Sequence, residues 1–231
     1  MKQMDGIVFI DKPANMSSFG VVARVRRILS QHAGKKVKVG HTGTLDPFAT
    51  GLMIIVVGSY CKRASEFSKF DKTYEATIDL GKASSTGDPE GELTEVSNRM
   101  PELKELTEVL QAFTGKIRQT PPSYSAIKID GVRAYKLARE GKEVEMPTRE
   151  VIIHSLDLVQ YAYPELKIRT HVSSGTYIRT LASDIGKSLG VGGYCKELRR
   201  TVVGGFGIKD AIRIRDDMTA AELPIVTLDN K

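Results

Sequence analysis

Apolar residues recur along the chain in two periods, one typical of strands and one typical of helices. Residues 52–57 are continuously apolar and largely β-branched, with a glycine at each end, which predicts a short buried strand. Apolar and polar residues alternate over 72–81, which predicts a second strand. Two further β-rich runs, 151–161 and 166–172, are separated by only a few residues. We expect these two runs to pair with each other.

Helical spacing occurs in other regions. Ser17 and Ser18 are suitable helix caps, and apolar residues follow them at i, i+1, i+4, i+7 and i+8. Residues 101–113 and the segment after Gly175 show similar spacing. Strands and helices interleave irregularly, and several strands are neighbours in sequence. The pattern therefore predicts an α+β fold with a mixed, mostly antiparallel sheet flanked by helices and loops.

Composition excludes several protein classes. The chain has 231 residues, 41% of them hydrophobic and 27% charged, which is typical of one large globular domain or two small ones. No apolar run approaches the ~18 residues that a membrane helix needs, and the N-terminus lacks the features of a signal peptide. Cys61 and Cys195 lack metal-ligand spacing, which favours a reducing compartment. We expect a soluble cytoplasmic protein without a membrane partner.

The positive charge is concentrated in two clusters. The net charge is +6, and no acidic residue interrupts the stretch between Asp11 and Asp46, where seven lysines and arginines lie. A second cluster contains Lys196, Arg199 and Arg200. One basic helix is most often ordinary solvated surface. Two clusters flanking a candidate carboxylate instead favour contact with a phosphate backbone.

That carboxylate is Asp46, in the loop that leads into the strand predicted over 52–57. A polar, turn-rich loop on a rigid scaffold is a common place for a reactive side chain. Pro47 restricts the backbone of Asp46 to extended conformations, which limits where its carboxylate points. The ordinary explanation is an Asx turn before a proline, and the residues alone leave both interpretations open.

Other polar residues also have two interpretations. Arg179 lies in the first turn of a predicted helix, where a cation opposes the macrodipole by ~0.3–1 kcal/mol. It is either an exposed arginine or the partner of a carboxylate, and the sharper hypothesis pairs it with Asp46. His41 is a polar loop residue or a ligand contact, and the absence of a second histidine at ligand spacing argues against a metal. Tyr74 and Tyr177 are core aromatics or parts of a site.

Several long blocks of the sequence, from near the N-terminus to about Phe206, resemble the TruB family of tRNA pseudouridine synthases. In order, they are DKP from Asp11, GHTGTLDPFATGL, KTYEATIDLG, QTPPSYSAIKIDG, SSGTYIRTLASDIGKSLG and LRRTVVGGF. The resemblance implies the pseudouridine synthase fold. It also implies isomerisation of uridine to pseudouridine, by base flipping and without a cofactor or metal, at the T-loop position of tRNA called uridine-55. The implied partner is the T-arm stem-loop of tRNA, with no obligatory protein partner and a monomeric enzyme.

By the same resemblance, Asp46 is the one catalytic carboxylate, acting as a nucleophile or as a base at the sugar. Arg179 holds Asp46 ionised, because a nearby cation lowers the pKa of a carboxyl group. Tyr74 stacks on the flipped base and handles a proton at C5. The other implied contacts to the substrate are made by His41, Tyr177 and Leu198. The weaker candidates for phosphate contact are Lys12, Arg24, Lys62 and Arg200.

Two features depart from the family pattern. Asn15 stands where glycine is common after Lys-Pro-X, although asparagine also tolerates left-handed backbone geometry. The second departure is at the C-terminus, where many members carry an RNA-binding PUA module and only 25 residues follow Phe206 here. We expect a catalytic domain over residues 1–210 and a short extension over 211–231 without a PUA domain, so that acceptor-end contacts are in question.

Other function classes predict different features. A non-catalytic RNA-binding protein needs no carboxylate, so Asp46 and Arg179 argue against it. A hydrolytic nucleosidase needs a positioned water and usually a second acid; Asp71 and Asp88 are the nearest, and no motif supports them. A guide-RNA-dependent synthase carries the C-terminal module that is not expected here.

Overall fold

The computed structural model describes residues 4–125, 127–129, 131–142 and 145–228, except for the side chains of Tyr135 and Arg139. Ala126 and Asp130 of the QTPPSYSAIKIDG block lie outside the described residues, as do residues 229–231 of the expected C-terminal extension. Within the described part of the chain, no helix is long and apolar enough to cross a membrane.

Strands and helices alternate irregularly along the chain. The first half contains β1 (Gly6–Lys12), α1 (Ser18–Ala33), β2 (Val39–His41), β3 (Thr50–Val57), α2 (Ala64–Ser68), β4 (Lys72–Leu80), β5 (Lys82–Ser84), β6 (Leu93–Glu95), α3 (Leu103–Ala112) and β7 (Gly115–Gln119). The second half contains β8 (Lys128–Ile129), β9 (Val132–Arg133), α4 (Ala134–Arg139), β10 (Arg149–Ala162), β11 (Glu165–Val172), α5 (Ile178–Ser188), β12 (Gly193–Val203), β13 (Phe206–Gly207) and β14 (Ile212–Arg213). Short 3-10 turns begin at Gly58, Ile208 and Ala220.

The chain divides into two compact units, and the divisions fall inside β4 and β12. The first unit is drawn from residues 4–74 and 199–228, and the second from residues 75–198. Each unit has its own buried residues and its own candidate site residues.

The first unit is built on β3, the strand predicted from the apolar run. Strand β1 pairs antiparallel with β3 along its full length, from Gly6 opposite Val57 to Lys12 opposite Gly51. The strand order is β14, β1, β3, β12, with β2 added to part of β3. One cluster of its buried apolar residues contains Ile7, Phe9, Leu52, Ile54, Val56, Phe67 and Val203.

Helix α1 forms as its sequence predicts. The Ser17 side chain accepts a hydrogen bond from the Gly20 amide at 3.0 Å, which satisfies one free donor of the first turn. The helix ends at Gly34, whose φ of 65° is the left-handed geometry of a common helix stop. The predicted apolar face is buried, so α1 covers the sheet and leaves Arg27 exposed.

The second unit contains the pairing predicted for the two β-rich runs. Strands β10 and β11 pair antiparallel, and β7 pairs antiparallel with the start of β10, with Gln119 opposite Arg149. The strand order is β12, β4, β11, β10, β7. Helix α5 buries the apolar face that its spacing predicts, including Leu181 and Ile185. These pairings make the sheet mixed and mostly antiparallel, which confirms the predicted α+β class.

Two segments differ from the simple patterns. The apolar and polar residues of 124–129 suggest a strand after Pro122, but of the described residues there only Lys128 and Ile129 form one. On β4 the alternation predicts one buried side, yet Thr77 and Asp79 are buried as well. Both have polar partners in the second unit: Thr77 donates to a Glu197 carboxylate oxygen at 2.8 Å, and Asp79 lies 3.4 Å from Lys196 Nζ. Hydrogen bonding makes this burial tolerable.

Candidate active site

The loop that carries Asp46 joins β2 to β3 and is anchored on both sides of the aspartate. The buried Ser18 hydroxyl accepts a hydrogen bond from the Leu45 amide and donates one to the Leu45 carbonyl, both at 2.8 Å. On the other side, the Pro47 carbonyl accepts bonds from Lys12 Nζ at 3.0 Å and from the Asn15 amide at 2.8 Å. The backbone of Asp46 is therefore fixed by groups that come from outside the loop.

The backbone forms a tight turn at Asp46, whereas the Asx turn, which needs a side-chain oxygen of Asp46, stays a prediction. The Asp46 carbonyl accepts a hydrogen bond from the Ala49 amide at 3.2 Å, which closes a four-residue turn. The Asp46 residue is partly exposed. A tight backbone turn and a reactive side chain are compatible, because the turn constrains the main chain while leaving the carboxylate partly accessible.

Asn15, the first departure from the family pattern, has a φ of 62°. Asparagine is among the few residues that adopt this left-handed geometry readily. The turn therefore forms with asparagine in place of glycine, and the Asn15 amide donates a hydrogen bond to the Pro47 carbonyl.

Two predicted phosphate contacts are contradicted by burial. Lys12 is 0% exposed, and its ammonium group donates to the carbonyls of Pro13, Met16 and Pro47. Arg200 is 2% exposed and donates to the carbonyls of three residues: Leu52 at 2.8 Å, Gly43 at 3.1 Å and Thr44 at 3.4 Å. Both cations satisfy backbone oxygens inside the first unit, so they brace the Asp46 loop rather than meet RNA.

Gly51 shows how closely Arg200 packs against the base of this loop. Gly51 lies opposite Arg200 in the pairing of β3 with β12 and has a φ of 109°. A Cβ atom at Gly51 would stand 2.2 Å from the Arg200 carbonyl oxygen. The glycine that ends the GHTGTLDPFATG stretch is therefore required by this close approach.

The other predicted phosphate contacts remain open to solvent. Lys62 is exposed, and Arg24 is partly exposed and forms an ion pair with Asp216. His41 ends β2 and is partly exposed. Contact of these three residues with RNA stays a prediction.

Tyr74 lies on β4 and is buried, and its contact with a flipped base stays a prediction. Two residues earlier, Lys72 is also buried and donates to the Ser68 carbonyl at 2.7 Å and the Phe70 carbonyl at 2.5 Å. Burial and, to a smaller extent, the nearby charge of Arg200 lower the pKa of Lys72 to about 8, against the opposing effect of Asp71.

The pKa of Lys72 gives a prediction for stability against pH. Because the folded pKa lies below the ordinary 10.5, the unfolded chain binds the extra proton between about pH 8 and pH 10.5, so this contribution to stability rises with pH in that window. Relative to Lys72→Met, the wild type should gain roughly 2 kcal/mol of unfolding free energy between pH 7 and pH 10, after allowance for solvent screening. Urea titrations of both proteins at pH 7 and pH 10 measure the difference. A difference that does not change with pH would contradict the low pKa.

In the second unit, Arg179 has the carboxylate partner that its position in the first turn of α5 calls for, and this partner is Asp88. Nη1 of Arg179 lies 2.6 Å from a carboxylate oxygen of Asp88, and both side chains are 4% exposed. Arg179 also donates to the Thr86 carbonyl at 3.1 Å and the Tyr124 carbonyl at 2.7 Å. The direction of the guanidinium is thus set by two separate segments, the loop with Thr86 and Asp88 and the segment around Tyr124.

Asp88 is held as firmly as Arg179. Its second carboxylate oxygen accepts bonds from the Thr86 hydroxyl at 2.6 Å and the Glu90 amide at 3.0 Å. From the sequence, Asp88 was considered only as the second acid of a hydrolytic nucleosidase. Its position before Pro89 in a turn-rich loop resembles that of Asp46 before Pro47, and that resemblance was the available signal.

The remaining substrate-binding candidates also lie in the second unit. Tyr177 is partly exposed, and the Arg149 guanidinium lies 4.9 Å from its ring centroid. Leu198 is buried on β12. Asp46 and Arg179 belong to different units, and their pairing stays a prediction.

Comparisons with known proteins identify the family. Residues 26–178 match the TruB family pseudouridylate synthase (N terminal domain), and residues 179–223 match the tRNA pseudouridylate synthase B C-terminal domain. The chain is 41% identical over 224 residues to the tRNA pseudouridine synthase B of Opitutus terrae, covering 96% of this chain and 90% of the relative. It is 44% identical over 210 residues to that of Phocaeicola vulgatus, covering 90% and 89%.

Solved structures resemble the same chain. One is a Cbf5-Nop10-Gar1 complex, with a TM-score of 0.70 and 27% identity over 91% of this chain and 53% of the other. Another is an H/ACA RNP bound to a substrate RNA containing 2′-deoxyuridine, with a TM-score of 0.66 and 25% identity over 90% and 50%. The chain therefore spans about half the length of these solved chains, and the likeness bears out the predicted fold. With one family model covering about two thirds of its residues and relatives above 40% identity along nine tenths of their length, the chain belongs to the TruB family of pseudouridylate synthases.

Proposed function

We propose that this protein converts uridine to pseudouridine in the T-loop of tRNA, at the position called uridine-55, with Asp46 as its catalytic carboxylate. The observation that carries the proposal is the match along nine tenths of the chain to relatives named tRNA pseudouridine synthase B. The anchoring of the Asp46 loop by Ser18, Lys12 and Arg200 supports it, because catalysis requires a reactive group held in a fixed geometry.

The reaction is an isomerisation, so its atoms balance without a co-reactant. The bond between uracil N1 and ribose C1′ breaks, the uracil turns, and C5 bonds to C1′ while a proton leaves C5 and one is gained at N1. A hydrolase needs one acid for the leaving group and a second carboxylate to attack or to activate water. Here the base never departs, and Asp46 alone acts at the ribose, as a nucleophile at C1′ or as a base on the sugar.

The other residues have supporting roles in this proposal. Arg179, fixed by Asp88, keeps Asp46 ionised. Tyr74 stacks on the flipped uracil and handles the C5 proton. Tyr177 and Leu198 line the uracil pocket. His41 fills the space that the flipped base vacates in the RNA, or contacts a neighbouring nucleotide. Extruding the uridine costs a few kcal/mol of unstacking, which aromatic contacts help to offset.

RNA binding is proposed on the same basis. Arg24 and Lys62 contact phosphates of the T-arm stem-loop, and residues 1–210 act as the catalytic domain without an obligatory protein partner. Net positive charge supports this assignment, because phosphate contacts dominate the affinity of proteins for nucleic acids.

One assay tests the proposed function. The purified protein is incubated with an unmodified T-arm hairpin, without metal or cofactor, and pseudouridine is mapped by position. We expect product at the T-loop uridine and none when that uridine is replaced by cytidine. Free uracil among the products would instead indicate a nucleosidase, and tight binding without product would indicate a non-catalytic RNA-binding protein.

Tyr74→Leu tests the role of the buried tyrosine. If Tyr74 handles a proton in the reaction, its loss should lower kcat about a hundredfold or more, while hairpin affinity changes only a few-fold. Single-turnover kinetics at saturating enzyme measure the chemical step. Tyr194→Leu is the matched control, because Tyr194 is equally buried on β12 and has no proposed role. A wild-type rate for Tyr74→Leu would mean that Tyr74 only packs in the core and takes no part in the reaction.

A further inference from the structure

We propose that Gln119 is a positioning residue that fixes Tyr177 and the first turn of α5, from which Arg179 projects. The inference rests on the proposed roles of Tyr177 and Arg179 in the reaction. Gln119 itself ends β7 and is 1% exposed, so it acts through these two residues rather than through contact with RNA.

The side-chain amide of Gln119 bonds both backbone groups of Tyr177. Its Nε2 donates to the Tyr177 carbonyl at 3.0 Å, and its Oε1 accepts from the Tyr177 amide at 2.8 Å. A glutamine amide has one acceptor and two donors in a plane, so this paired contact sets the orientation of the peptide groups around Tyr177 as well as their distance.

Tyr177 needs such a partner because of its place in the fold. It is the N-cap of α5, with an extended backbone (φ −101°, ψ 112°), and its side chain makes no capping hydrogen bond. Most helices place a short polar side chain at this position. The Tyr177 carbonyl already accepts the first helical bond, from the Leu181 amide at 3.1 Å. Gln119 adds a bond on each side of the residue and supplies the restraint that the tyrosine lacks.

The ring of Tyr177 is held by the residue opposite Gln119. Arg149 faces Gln119 in the pairing of β7 with β10, and its guanidinium lies 4.9 Å from the Tyr177 ring centroid. Arg149 also donates to the carbonyl of Gly175, which precedes Tyr177 by two residues. A cation over an aromatic face is a favourable contact. One pair of facing residues therefore holds the backbone and the ring of the same tyrosine.

The restraint extends to Arg179, which follows Tyr177 by two residues. Its guanidinium must meet Asp88 and the Thr86 and Tyr124 carbonyls at once. A turn of the Tyr177 peptide groups would shift the start of α5 and disturb both the uracil wall and this arginine. Since displacements near 1 Å can cost about a hundredfold in rate, a loose helix start should lower kcat without removing any group that touches RNA.

The test compares Gln119→Met with Thr170→Val. Methionine has a similar length and neither hydrogen bond. Thr170→Val removes one buried bond elsewhere in the second unit, from the hydroxyl to the Ser155 carbonyl at 2.8 Å. For Gln119→Met we expect kcat on the T-arm hairpin to fall about tenfold to a hundredfold, with KM within about threefold. Thr170→Val should keep the wild-type kcat, because a merely structural loss lowers stability without changing the folded enzyme's turnover.

Hydrogen–deuterium exchange supplies a readout that needs no activity. The Tyr177 amide should exchange faster in Gln119→Met than in the wild type and stay protected in Thr170→Val. We call the paired bonds of Gln119 to Tyr177 the clamp. If the wild type makes no pseudouridine but the exchange responds as expected, the clamp is supported and the proposed function is wrong. If exchange quickens and kcat is unchanged, Gln119 is only structural and the positioning role is overturned.

A milder variant covers the case in which Gln119→Met does not fold. Arg149→Lys keeps the charge and loses the planar contact with the Tyr177 ring, so we expect a smaller fall in kcat, about threefold to tenfold, with an unchanged KM. An unchanged kcat for Arg149→Lys would overturn the proposal that holding the Tyr177 ring and backbone in place supports turnover.

Discussion

Asp46→Asn is expected to abolish pseudouridine formation on a T-arm hairpin, with a fall in rate of about 10⁴-fold or more. The amide has nearly the shape of the carboxylate, but it neither attacks C1′ nor accepts a proton from the sugar. Affinity for the hairpin should stay within a few-fold, since the change removes a negative charge that repels phosphate. Single-turnover product mapping and filter binding measure the two quantities on the same preparations.

The Asp46→Asn protein should keep its fold because the backbone of the loop is held from outside. Ser18 fixes Leu45, and Lys12 fixes Pro47, so neither anchor depends on the carboxylate. Asp210→Asn is a suitable control, because Asp210 is an exposed acid of the same unit. Turnover retained by Asp46→Asn would exclude Asp46 as nucleophile or base, whereas equal loss in both variants would point to a general effect of charge.

Much of the first unit could be predicted because its local patterns agree with its tertiary packing. The apolar run became β3, and the apolar face of α1 is buried between a serine cap and a glycine stop. The charges were harder to interpret. Lys12 and Arg200 have the chemistry of phosphate ligands, yet carbonyl oxygens from separate segments converge on each of them. The sequence shows that a side chain is charged, but it does not show whether the fold places backbone carbonyl oxygens around that charge.

The site in the second unit shows the same limit. The position of Arg179 in a first turn predicted a carboxylate partner from helix electrostatics alone. One such partner is Asp88, which is 91 residues distant in sequence and meets Arg179 only through the tertiary fold. The clamp of Gln119 on Tyr177 spans 58 residues and is equally invisible to a local pattern.

Asp88→Asn is expected to destabilise the protein by about 3–5 kcal/mol, because it removes a charged partner from a buried guanidinium, that of Arg179. Asparagine retains an oxygen for the Thr86 hydroxyl and the Glu90 amide, so the turn around residue 88 keeps its hydrogen bonds. What changes is the side that faces Arg179, where a charged acceptor is replaced by an amide. Urea unfolding at pH 7 measures the loss.

A measurement of kcat on the fully folded variant separates the effect of Asp88→Asn on stability from its effect on the site. At a temperature where the variant is fully folded by circular dichroism, kcat should still fall, because the guanidinium of Arg179 would no longer be drawn to its present position. Asp157→Asn, an exposed acid on β10, is the matched control and should leave both quantities near the wild type. A loss below about 1 kcal/mol with unchanged kcat would mean that the other partners of Arg179, the Thr86 and Tyr124 carbonyls among them, suffice to hold it. We expect the opposite, since neutral carbonyls orient a buried guanidinium but do not neutralise its charge.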